Sequence, residues 1–203
     1  MLAIKLAEVL VMRVWLGHYS DNTKEWFIVW DDCVEDAWDD VDQVGSPDTD
    51  SFREIVSAGM ANFHSDSQGD EENISPAKDK TRRERWLILG GESMMQNPNE
   101  YIASLNSAKI ANQKLKMKIW RGTYLSENQK DGEDCFVVWA KDKEEALQTV
   151  EQNFGSADKG SLIEVRNEGF IDFHVSMQEG KPVYTPPKGD VESGFWINLK
   201  GIM

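Results

Sequence analysis

Apolar residues recur along this chain in two rhythms. Dense runs of β-branched and aromatic residues fill Met12–Tyr19 and Trp26–Trp30, and again Met117–Tyr124 and Cys135–Trp139. Such runs predict pairs of strands joined as hairpins. Ala37, Trp38, Val41 and Val44 instead fall three or four residues apart, as do Ala146, Leu147, Val150 and Phe154. That spacing predicts one amphipathic helix in each half, with a single face laid on a sheet. Asp142 with Glu145 three residues on reads as a capping-box variant at a helix start, and Asp32 with Glu35 reads alike.

Two short strands are predicted after each helix, Glu54–Ser57 and Met60–His64 in the first half, Leu162–Arg166 and Phe170–Val175 in the second. A closing strand is predicted at Trp86–Leu89 and at Trp196–Leu199. Ser65–Glu84 is polar and then basic, which predicts a mobile loop; its counterpart Ser176–Gly194 carries prolines that limit the chain.

These elements repeat. Trp15, Gly17 and Tyr19 match Trp120, Gly122 and Tyr124; Phe27 and Trp30 match Phe136 and Trp139. After one extra residue in the second half, Gly59, Phe63, His64, Trp86 and Leu89 match Gly169, Phe173, His174, Trp196 and Leu199. One offset held from Gly59 through Leu89 across such rare residue types predicts a tandem duplication, since internal repeats mark repeated structural units. The expected fold is α+β: two copies of a ββαβββ-like unit, each an antiparallel sheet with one helix packed on a face. Val9–Gly91 is the first copy, Glu92–Gln113 a linker and Lys114–Gly201 the second.

Charge changes the picture next. The 203 residues carry 36 acidic and 22 basic side chains, a formal charge of −14. That field repels phosphate backbones and disfavours direct nucleic-acid binding. The surplus is uneven, net −10 over Val9–Gly91 and −3 over Lys114–Gly201. No stretch is apolar for the roughly 20 residues that span a bilayer. Cys33 and Cys135 fall at non-equivalent places, so both read as reduced thiols, and the expected setting is cytoplasmic.

Two groups of residues carry candidate chemistry. Asp32, Glu35, Asp36, Asp39 and Asp40 crowd the first helix, whose counterpart mixes acids with lysines. Like charges four apart cost a few tenths of a kcal/mol each, about 0.2–0.5. Acceptance of that cost on one copy points to a basic protein partner, in a role of the inhibitor, immunity or nucleic-acid-mimic type. The alternative is a small-molecule binder or hydrolase. It would use His64 and His174 at a cleft between the copies, with Asp172 beside His174 on one strand face. A strand histidine in a structural hydrogen bond is the simpler reading of these positions. No catalytic set, cofactor motif or metal-ligand spacing stands out, so binding is favoured over catalysis.

Overall fold

A computed structural model describes residues 12–21, 24–55, 57–68, 71–89, 117–125, 133–179, 181–187 and 197–199. The expected linker, Trp196, and the outer ends of both expected copies lie outside the described residues. In the first half the elements are β1 (Arg13–His18), β2 (Glu25–Asp31), α1 (Val34–Asp42), β3 (Arg53–Glu54), β4 (Gly59–Gln68), β5 (Glu71–Ser75), α2 (Lys80–Glu84) and β6 (Leu87–Ile88). The second half has β7 (Lys118–Thr123), β8 (Glu133–Ala140), α3 (Lys143–Phe154), β9 (Ile163–Val165), β10 (Gly169–Gln178), β11 (Lys181–Thr185) and β12 (Ile197–Leu199).

The fold is mixed α+β, with two antiparallel six-stranded sheets. Their orders correspond: β11-β10-β2-β1-β3 with β12 on β10, and β5-β4-β8-β7-β9 with β6 on β4. Neither sheet follows one half of the sequence. β10 of the second half pairs with β2 of the first, from Gly169 opposite Trp30 to His174 opposite Glu25. Reciprocally, β4 pairs with β8, from Gly59 opposite Trp139 to Ser65 opposite Glu133. The expectation of one sheet per copy is therefore replaced by an exchange of strands. Similar alternation in the two halves makes β4 and β10 competent for either partner, and strand pattern alone does not choose between them.

Alternation along each strand divides the core into three. Trp26, Ile28 and Trp30 of one sheet meet Cys135, Val137 and Trp139 of the other in a shared central cluster. Phe27 and Val29 point the other way, under Ala37 and Val41 of α1. Phe136 and Val138 likewise lie under Ala146 and Val150 of α3. The layers run helix, sheet, sheet, helix. Central strands are covered on both faces, which is why β2 and β8 read as almost continuous apolar runs. At Gly169 a Cβ would collide with the Trp30 indole and the Asn198 carbonyl, and Gly59 stands alike against Trp139 and Ile88. Glycine at these two places lets the exchanged strand cross the tryptophan.

Helix α3 starts as expected: Asp142 accepts from the Glu145 amide at 2.9 Å, and Glu145 accepts from the Lys141 amide at 2.7 Å. Helix α1 is instead capped by Cys33, whose sulfur accepts from the Asp36 amide at 3.4 Å, one residue later than expected. On α1 the buried positions are Ala37, Asp40 and Val41; Val44 is exposed. Ser65–Glu84 also differs from expectation. β4 continues to Gln68, pairs with β5, and is followed by the short helix α2. Polar side chains hid that hairpin, because ladder bonds come from the backbone and need no apolar alternation.

Candidate functional site

Strand β2 carries candidate chemistry at both ends. At its C-terminal end, Asp31 leads into α1, and Asp32, Asp36, Asp39 and Asp40 follow at helical spacing. Together with Met12, Arg166 and Glu168 they line one depression of about 380 Å³. The last two residues precede β10, so strand exchange brings the two halves together here. Burial pushes the Asp31 carboxyl up to about 6; the Asp32 amide opposes this, while Asp32, Asp40 and Asp36 add to it. Asp40, expected on the exposed face, is buried, since its position turns toward the sheet beside Ala37 and Val41. Glu35 is exposed and does not line the depression.

Asp32, Cys33 and Asp36 can bring one ligand atom each within 4.8 Å of one another, the only such group among the described residues. The Cys33 thiol donates to Asp36 Oδ2 at 3.1 Å. The Asp36 amide pulls this thiol's pKa down, but hydrogen bonding to the Asp36 carboxylate, burial and charge outweigh it, and the net shift is upward. A thiol that keeps its proton is a poor metal ligand and a poor nucleophile.

At the other end of β2 a polar group lies on the helix-side face. Tyr19, just past β1, donates its hydroxyl to Asp172 Oδ1 at 2.6 Å. His174, directly across the ladder from Glu25, places Nδ1 2.6 Å from Glu25 Oε1. Burial pushes the Asp172 carboxyl up to about 7; the Tyr19 hydroxyl opposes this and the Glu25 charge adds to it. Burial and the same two carboxylates raise the Tyr19 phenol far above its ordinary value.

The other sheet carries the counterpart. Tyr124 donates to Asn62 Oδ1, and His64 Nδ1 lies 2.9 Å from Asp134 Oδ1. Here the carboxylate is enclosed: Asp134 also accepts from the Lys78 and Asp79 amides, each at 3.0 Å, and from Arg82 at 3.1 Å. The Arg82 guanidinium sits 3.7 Å from the centre of the Tyr124 ring. Burial pushes the Asp134 carboxyl up, but these four donors outweigh it and hold it below the usual carboxylate range.

His64 and His174 thus lie on different sheets, each on the face turned away from the shared core. Asp172 and His174 share one face of β10, where Asp172 accepts from Tyr19 and His174 pairs with Glu25. Tyr19 and Glu25 were missed, as were Asp134 and Arg82. The signal for them was present: Tyr19 and Tyr124 recur in the repeat, and an acid opens the second strand of each half. Trp26 is buried in the central cluster.

Among the described residues no helix is long and apolar enough to cross a membrane. Comparison with protein-family models, with curated proteins and with solved structures finds no match.

Proposed function

We propose that this chain is a non-catalytic binding protein that offers the acidic depression beside α1 to a cationic group of a basic protein partner. Inhibitor, immunity and nucleic-acid-mimic proteins all work by this physics. The observation that carries the reading is the convergence of six carboxylates, those of Asp31, Asp32, Asp36, Asp39, Asp40 and Glu168, on one concavity where, among the described residues, Arg166 is the only basic lining residue. Asp39, Asp40 and Asp42 stand in the last turn of α1, where the negative end of the helix dipole opposes them. The counterpart helix α3 is ordinary by comparison: its exposed face has Glu144 and Glu151 beside Lys159, and Lys159 pairs with Glu151 at 3.2 Å.

The matching strand orders and the shared residues support reading the chain as two copies of one unit, in which only the first has gathered this charge. Cys33 and Cys135 are not joined in a disulfide, which suits a reducing, cytoplasmic setting.

The test is a selection of lysine- and arginine-rich peptides on the intact protein at physiological salt. Selected peptides should lose at least about tenfold in affinity against Asp36→Asn/Asp39→Asn, roughly 1.4 kcal/mol. Against Glu144→Gln/Glu151→Gln, which removes equal charge from α3, they should bind as before. Equal losses in the two variants would reduce the effect to net charge and remove the proposal.

A further inference from the structure

The paired polar clusters differ in one respect that points to a ligand. On the α3 side a guanidinium of the chain itself, Arg82, fills the cluster: it lies over the Tyr124 ring and donates to Asp134. On the α1 side the same frame is present, with Tyr19 for Tyr124, Glu25 for Asp134, Asp172 for Asn62 and His174 for His64. The residue that corresponds to Arg82 in the repeat register is Glu192. Among the described residues the frame has the carboxylate of Asp172 where its counterpart has the Asn62 amide, and no arginine.

The described residues show the consequence. Glu25 Oε2 is buried and has no hydrogen-bond partner, whereas both oxygens of Asp134 are satisfied. Asp172 is buried, with one oxygen held by Tyr19. The nearby charges that act on Tyr19 are those of Asp172, Glu25 and Asp21, all negative, whereas Arg82 heads the charges on Tyr124. A buried carboxylate oxygen with no donor costs free energy that an incoming cation would recover.

From this geometry we infer that the Tyr19, Glu25, Asp172 and His174 cluster is a binding site for a guanidinium group from outside the chain, seated where Arg82 sits in the counterpart. A metal ion fits less well. The ligand atoms of Glu25, Asp172 and His174 are not among the groups that converge within 4.8 Å. A planar guanidinium is broad enough to stack on a phenol and reach two separated carboxylates, as a compact ammonium is not. The site is independent of the acidic depression. The two lie at opposite ends of β2, six residues or about 20 Å apart.

The experiment is an NMR titration of the intact protein with N-acetyl-arginine methylamide, read at the imidazole signals. The three histidines, His18, His64 and His174, serve as separate reporters. A saturable shift at His174 and none at His64 is expected. Asp172→Asn copies the Asn62 arrangement and should weaken binding at least about tenfold, as should Glu25→Gln, because each removes one charge-assisted contact. N-acetyl-lysine methylamide should bind several-fold more weakly. Arg82→Ala should open the counterpart, so that the arginine probe then shifts His64 as well. Free L-arginine as a second probe distinguishes the source. Tighter binding of the blocked form assigns the site to an arginine of a protein partner; tighter binding of L-arginine assigns it to a small molecule. Absence of a saturable shift at His174 in the wild-type protein would overturn the inference. So would unchanged affinity in a folded Asp172→Asn variant, whose folding is checked by its thermal transition.

Discussion

Asp172 should make the protein less stable as pH rises, and one amide substitution should remove the effect. In the folded chain its carboxyl is pushed up to about 7 from an ordinary 3.8, first by burial and then by the Glu25 charge, against the Tyr19 hydroxyl. An acid with a raised folded pKa contributes nothing below its unfolded pKa, where both states are protonated. From about pH 4 upward the unfolded state gives up its proton while the folded state holds it. Stability therefore falls until the folded pKa is passed. Three pH units at about 1.4 kcal/mol each set the full cost at about 4 kcal/mol above pH 7. Asp172→Asn keeps the shape, and its amide oxygen accepts from Tyr19 as Asn62 accepts from Tyr124. Urea unfolding of both proteins from pH 4 to 8.5 gives the difference, in which titration of carboxylates that do not act on Asp172 cancels. The variant should match the wild type near pH 4 and exceed it by a few kcal/mol above pH 7. A difference that stays flat across this range would refute the burial argument.

Asp134 should behave in the opposite sense. Its lowered pKa contributes stability that is present above about pH 4 and is lost as pH falls through the folded value. Asp134→Asn leaves Arg82 without its charge partner and should cost about 3 kcal/mol by urea unfolding at pH 7. Asp142→Ala removes the α3 cap and should cost about 1 kcal/mol, measurable as a lower urea midpoint with an unchanged slope.

Much of the fold was legible because its strands and helices carry local signals. The runs around Phe27 and Phe136 gave β2 and β8, and Asp142 with Glu145 gave the start of α3. Partner choice was not legible. Phe63 and Phe173 present the same pattern to either second strand, so exchange and self-pairing satisfy the alternation equally. The candidate sites inherit that ambiguity. Asp172 and His174 could be placed on one face from sequence, but Tyr19 and Glu25 join them only through the β2–β10 ladder. The crowding of acids on α1 was visible. That Asp40 is buried and that Glu168 and Arg166 close the depression was not, because those contacts cross the exchange.

The strand exchange underlies both proposed sites, since each combines residues from the two halves. Isotope-edited NOESY of the intact protein tests it most directly. Backbone cross-peaks should link Trp30 to Gly169, Ile28 to Ile171 and Trp26 to Phe173, and likewise Val138 to Met60 and Phe136 to Asn62. Cross-peaks from Trp30 to Gly59 and from Trp139 to Gly169 in their place would show that each half forms its own sheet, and would contradict the account.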